Sequence, residues 1–261
     1  MIGKDLPNKA WFTDEEGENF EGVEVVIPIC KWLDEEMTQY KPIGTSFLIS
    51  RDGLIVTAKH ILEEMKRLND DKTNLFCILF MPEKKKYKRV PLKPFFHTAQ
   101  ISDIGFTQMS LLKKEKTGEF YISKRYLPLS SKKPQIGEFV TTYSMPRESY
   151  SIKVENTINL NPTWCFGRIV AYHKNGFGIL KGSCYETDMV TKHGSSGGPV
   201  FNEKGFAIGV NSSGHSNTNI SYFTPIEPLL EINFKMMWQD ELIVTNLKEM
   251  HQKGWIKIVE N

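Results

Sequence analysis

Short apolar runs broken by glycine, proline, aspartate and asparagine dominate the chain as far as about residue 226. Runs of that length with turn residues between them predict strands rather than helices. One group comprises residues 23–32, 44–50, 54–58, 74–81, 88–97 and 103–111. A second comprises 137–144, 149–158, 165–173, 178–185, 199–201, 207–212 and 220–225. Arg51-Asp52-Gly53 joins two neighbouring runs as a hairpin-type turn. Between the groups, residues 113–131 are polar and lysine-rich and read as a crossover. Past residue 226 the pattern changes. Residues 227–242 are rich in Leu, Ile, Phe, Met and Trp, after which Ile243, Leu247 and Met250 recur at helical spacing and Gly254 supplies a stop. Residues 255–259 predict a short terminal strand.

Candidate chemistry sits at three places along this pattern. The first is Gly194-Ser195-Ser196-Gly197-Gly198-Pro199-Val200. A serine hydroxyl is a weak nucleophile at neutral pH and needs an adjacent base. It also needs N–H groups aimed at the oxygen that becomes negative in the transition state. Glycine before the serine allows the backbone turn that presents such groups. The second place is Thr57-Ala58-Lys59-His60, where a strand-like run ends in a histidine. The third is Ile101-Ser102-Asp103-Ile104-Gly105-Phe106, a single carboxylate inside an apolar stretch. Taken alone, the histidine is an ordinary surface or core residue and the aspartate an ordinary cap. Together, in the order His, Asp, Ser, they supply a base, an acid and a nucleophile.

These motifs resemble those of the chymotrypsin-fold, trypsin-like serine proteases of the PA clan, and most nearly the HtrA/Deg and glutamyl-endopeptidase branch. The family's "TAxH", "D-I/L-A" and "GxSGGP" segments match at His60, Asp103 and Ser196, with Gly105 in place of the usual alanine. The resemblance implies an all-β fold of two six-stranded Greek-key β-barrels with a C-terminal helical extension. It divides the chain into an N-terminal arm (1–20), a first barrel with base and acid (21–115), and a second barrel with nucleophile, oxyanion hole and primary pocket (116–226). Residues 227–261 then supply helices, the first of them within 227–242, and a terminal strand. No PDZ-like segment follows in the sequence, which departs from typical HtrA proteins.

Roles follow from the same resemblance. His60 is the general base, Asp103 orients it, and Ser196 attacks. The N–H groups of Gly194 and Ser196 form the oxyanion hole, and the Ser212 hydroxyl supports the acid. Val190 lies at the base of the primary pocket, His193 at its rim, and Asn211, Ser213, Gly214 and Thr224 in its walls. Valine offers no carboxylate to pair with Arg or Lys, and Asn211 stands where glutamate-specific relatives place a histidine. An uncharged P1 residue of small to medium size is expected, with an acidic or polar group at the His193 rim as the alternative. The implied activity is serine endopeptidase, through an acyl-enzyme. A catalytically silent scaffold, or an esterase with the same triad, is the other reading. Digestive relatives carry an acid before the nucleophile, which pairs with a newly cut N-terminus. Ser195 cannot do so, and a protein activator or other ligand ordering residues 187–194 is expected instead.

Composition narrows the setting. A chain of 261 residues suits two small cores better than one. A formal net charge of +2 is too small to imply nucleic acid, and no apolar run is long enough for a membrane helix. Neither nucleic acid nor membrane is therefore an expected partner, and the family resemblance implies a polypeptide substrate. The N-terminal residues carry acids where a signal peptide is apolar. Lys84-Lys85-Lys86-Tyr87-Lys88-Arg89 reads as a solvated hairpin tip. The four cysteines, Cys30, Cys77, Cys165 and Cys184, show no metal-ligand spacing, so neither metal nor cofactor is expected. Thr45, Ala58 and Lys192 occupy the places where secreted members of the family form bridges. Reduced thiols and a cytoplasmic location follow.

Overall fold

Alternating β-branched and aromatic residues fold into strands much as their pattern predicts. The computed structural model describes residues 11–13, 17–68, 73–81, 86–110, 123, 125–146, 150–153, 157–214, 219–238 and 241–260. A short hairpin, β1 (Trp11–Thr13) and β2 (Asn19–Glu21), comes first. Six strands follow: β3 (Val26–Trp32), β4 (Tyr40–Leu48), β5 (Leu54–Thr57), β6 (Leu75–Met81), β7 (Lys86–Thr98) and β8 (Gly105–Met109). They close into a barrel in the order β3-β4-β5-β8-β7-β6. Ile27, Ile29, Leu48, Ile55, Leu75 and Val90 fill its interior. The β4–β5 turn falls at the expected position, with Gly53 at φ +86. A single helical turn, α1 (Lys59–Leu62), follows β5 and buries Ile61 and Leu62.

The second half contributes β9 (Leu129–Ser130), β10 (Phe139–Ser144), β11 (Tyr150–Lys153), β12 (Thr157–Leu160), β13 (Thr163–His173), β14 (Cys184–Thr187), β15 (Pro199–Phe201), β16 (Ala207–Gly214) and β17 (Ser221–Pro225). Six of these pair as β10-β13-β14-β17-β16-β15, and the β15–β10 pairing closes the ring. Both rings therefore run first, second, third, sixth, fifth, fourth strand, the Greek-key order. Val140, Ile169, Tyr185, Val200, Ile208 and Phe223 pack inside the second.

Three expectations need correction. The run 149–158 is not one barrel strand; it divides into β11 and β12, which pair only with each other. The polar Glu155-Asn156 pair interrupts the apolar run there. Of the run 178–185, only the end enters β14. Gly176 and Gly178 take positive φ, and Phe177 bridges Leu180, so the chain loops before the strand starts. The helical extension is the third. Only one turn, α2 (Glu227–Leu230), forms, and a hairpin of β18 (Phe234–Trp238) and β19 (Glu241–Thr245) follows it. The reason is period: Phe234 and Met236 are buried while Lys235 between them is exposed, and Thr245 is buried while Val244 is exposed. Alternation of that kind suits a sheet surface, not a helix.

Past the hairpin, α3 (Leu247–Gln252) is capped at both ends. Asn246 Oδ1 accepts the Glu249 N–H at 2.9 Å. Gly254 takes φ +71, and the Trp255 N–H reaches back to the Met250 carbonyl at 2.9 Å. β20 (Ile258–Val259) then lies parallel to β9, which itself pairs with β16. One buried cluster joins Val26, Phe47 and Phe106 of the first barrel, Tyr143 and Phe201 of the second, and Phe234, Leu247 and Met250 of the tail. Phe234 meets Phe106 with ring centroids 4.4 Å apart. On the N-terminal side, Phe12 stacks 5.7 Å from Phe20 and lies 5.5 Å from Phe201.

All four cysteines are unpaired and buried. Burial pushes the Cys77 thiol up to about 12 and those of Cys165 and Cys184 up to about 11. Residues 82–85, the tip of the lysine-rich hairpin, and 113–122 of the crossover lie outside the described residues. Among the described residues no helix is long and apolar enough to cross a membrane, and no cluster of His, Cys, Asp and Glu is arranged to hold a metal.

Candidate active site

The two barrels leave between them a cleft of about 930 Å³. Its first wall is built from the end of β5. Ala58 is still extended, and the single turn of α1 then swings His60 out toward the cleft. Asp103 faces it from the residues just before β8. The His60 N–H donates to Asp103 Oδ1 at 3.0 Å, and the ring Nδ1 lies 2.9 Å from Oδ2. A carboxylate only accepts, so Nδ1 carries the proton and Nε2 is left as the acceptor of the neutral ring. Burial works against the imidazolium, but the hydrogen bond and charge of Asp103, with Glu63 and Glu64 beyond, outweigh it and raise the His60 pKa. Gly105 is required by this packing. A Cβ there would lie 2.8 Å from the His97 carbonyl and from the Thr98 methyl.

The opposite wall is the turn before β15. Gly194 and Gly197 both take positive φ, +93 and +87, which reverses the chain around Ser195 and Ser196. Ser196 lines the same cleft as His60 and Asp103. Its hydroxyl is turned to the Ser212 carbonyl, 3.3 Å away. Ser195 is fully buried and accepts a hydrogen bond from the Ser144 hydroxyl at 2.9 Å.

Of the expected pocket residues, Val190, His193, Asn211, Ser213 and Gly214 line the cleft. Val190 is 56% exposed, so it forms an open wall rather than a deep floor. Asn211 is buried, and its Oδ1 has no partner among the described residues. Two further placements differ from expectation. Thr224 is buried behind the wall, opposite Val210 across the β16–β17 pair, with its hydroxyl 2.7 Å from that of Ser212. The Ser212 hydroxyl is thereby held by Thr224 and the Val210 carbonyl, not by Asp103.

The motifs gave no hint of Ile179, Leu180 and Lys181, which complete the rim. They come from the loop that replaces the expected strand start. It reaches the acid because Gly182 sits against Ser102, where a Cβ would lie 2.5 Å from the serine Oγ. Nothing in the local sequence marks that contact, since it joins segments from different barrels.

Comparison with known proteins agrees with this geometry. The model of the trypsin-like peptidase domain family matches residues 44–210, a span that includes His60, Asp103 and Ser196. Serine protease HTRA4 of Mus musculus is 25% identical over 173 residues, 65% of this chain and 29% of that protein. The probable periplasmic serine endoprotease DegP-like of Chlamydia muridarum (strain MoPn / Nigg) is 27% identical over 175 residues, 65% of this chain and 28% of that protein. A protein of the same description from Chlamydia trachomatis is also 27% identical over 175 residues. The chain spans less than a third of the length of these curated relatives. With two Greek-key barrels and a family match across most of both, the chain belongs to the trypsin-like peptidase domain family.

Proposed function

We propose that the chain is a serine endopeptidase acting through Ser196, His60 and Asp103. The observation that carries this reading is the His60–Asp103 pair, 2.9 Å apart, opening onto the cleft that Ser196 also lines. Rotation of the Ser196 side chain away from the Ser212 carbonyl brings Oγ toward the free Nε2 of His60. Oγ then attacks the scissile carbonyl carbon while His60 takes its proton. Asp103 holds the ring in that tautomer and stabilises the imidazolium. The N–H groups of Gly194 and Ser196 receive the oxyanion, worth about 3 kcal/mol per donor in such sites. Collapse of the intermediate breaks the C–N bond, and His60 returns the proton to the leaving amine. Water, deprotonated by His60, releases the acyl group and restores Ser196.

For the primary pocket we propose an uncharged P1 residue of small to medium size. The support is its lining: Val190, Thr191 and Ser213 are neutral, and Asn211 offers an amide. The neutral Ser144–Ser195 hydrogen bond supports control without an N-terminal ion pair. Four unpaired, buried thiols support a reducing, cytoplasmic setting. Recovery of the protein with secreted or periplasmic markers on cell fractionation would argue against that setting.

Fluorophosphonate labelling tests the activity. The expected result is labelling of the wild type and none of Ser196→Ala, with cleavage of a peptide library after uncharged residues. A wild type that stays unlabelled under varied conditions overturns the enzyme reading in favour of a binding scaffold. Labelling with ester but no peptide turnover makes the chain an esterase, and cleavage after acidic residues overturns the P1 assignment.

A further inference from the structure

Thr45 lies on β4 of the first barrel, fully buried, and each of its polar groups is used. Its N–H donates to the Ser196 carbonyl at 2.8 Å. Its hydroxyl donates to the Gly194 carbonyl at 2.8 Å and accepts the Met145 N–H at 3.0 Å. Its carbonyl accepts the Thr57 hydroxyl at 2.6 Å, three residues before His60. One residue of the first barrel thus touches the nucleophile turn twice, the second barrel once, and the strand that carries the base.

The effect is clearest peptide by peptide. The Gly194–Ser195 peptide is held at both ends, its carbonyl by Thr45 and its N–H by the Lys192 carbonyl at 3.0 Å. The Ser195 carbonyl accepts the Gly198 N–H at 3.0 Å. The Ser196–Gly197 peptide is again held at both ends, by the Thr45 N–H and by the Asn211 carbonyl at 2.7 Å. Among the described residues the Ser196 N–H has no backbone acceptor. It lies between two fixed peptide planes, so its direction is set before any substrate arrives. Ser144 adds a tie through the Ser195 hydroxyl. The fit is close: a Cβ on Gly197 would lie 2.0 Å from the Thr45 carbonyl.

We infer that Thr45, seconded by Ser144, is a positioning residue that presets the Ser196 N–H for the oxyanion from the opposite barrel. This rests on the serine-peptidase reading above. Loss of the Thr45 hydroxyl leaves the Gly194 carbonyl without its buried donor, and the 194–195 peptide is then held only by its N–H to the Lys192 carbonyl. The His193–Gly194 peptide has no backbone hydrogen bond at either end among the described residues. The two donors therefore differ in kind. That of Ser196 is built in, and that of Gly194 is left adjustable.

Kinetics of the full chain with a cleaved peptide test the inference. Thr45→Val keeps the shape and removes the hydroxyl; kcat is expected to fall by about tenfold to a hundredfold. KM stays within about twofold, as befits a contact that matters only in the transition state. Thr45→Ser, which restores the hydroxyl, recovers most of kcat. Circular dichroism melting verifies that each variant is folded. Unchanged kcat in Thr45→Val, or Thr45→Ser as impaired as Thr45→Val, overturns the inference. Should Thr45→Val not fold, Ser144→Ala carries the same kcat-selective expectation, and unchanged kcat there overturns it equally. A wild type that neither labels nor turns over refutes the peptidase reading itself, which a silent Thr45 variant does not.

Discussion

A histidine is useful as a general base only while neutral, so the environment that makes His60 a better base also narrows its pH range. Burial opposes the charged ring, yet Asp103 and the nearby glutamates win and raise its pKa. The neutral form is then lost on going down through a pKa above the ordinary histidine value of about 6.5. The acid limb of kcat/KM is expected to have its midpoint above that value. In Asp103→Asn the raising partner is gone, the tautomer is no longer enforced, and kcat falls by roughly ten-thousandfold. Its residual activity should titrate at lower pH than the wild type. A wild-type midpoint at or below that of an ordinary histidine, measured by peptide hydrolysis across pH, would contradict the assignment. His60, Asp103 and Ser196 were readable in the sequence as residues of one cleft, because each stands among characteristic neighbours. Thr45 was not. A buried threonine in a strand satisfies β-propensity, and its hydroxyl acquires meaning only when another barrel arrives beside it.

Elements were legible wherever one periodicity governed one run. All six strands of the first barrel fall where their apolar runs lie. Legibility failed where composition hid period. Residues 227–242 carry the bulk of a core helix, but burial alternates over Phe234, Lys235 and Met236, and β-branched Ile243, Val244 and Thr245 complete a hairpin. Leu247 and Met250 of the proposed stripe are indeed on a helix, whereas Ile243 is on a strand and meets Met236 across the hairpin. The run 178–185 failed for another reason. Its glycines serve a loop whose purpose, contact with the acid-bearing segment, is invisible until both barrels are in place.

At the scale of the molecule, the cleft depends on a seam that neither barrel seals alone. Phe234 is 2% exposed and stands between Phe106 and the tail's own core. Phe234→Ala is expected to cost about 3–5 kcal/mol, the range for truncating a buried aromatic. Urea unfolding followed by tryptophan fluorescence would measure it, and a loss under about 1 kcal/mol would show the seam to be dispensable. The tail also closes by β20, which joins β9 with Ser131 and Val259 hydrogen-bonded across 128 residues of chain. That distance has a consequence during synthesis. Both barrels leave the ribosome before the segment that staples them, and at roughly 5–20 residues per second the delay is a matter of seconds. For those seconds the nascent chain has Ser196, His60 and Asp103 but an unsealed joint between the barrels that carry them. A chain arranged in this way completes the joint between its barrels only once translation has passed β20.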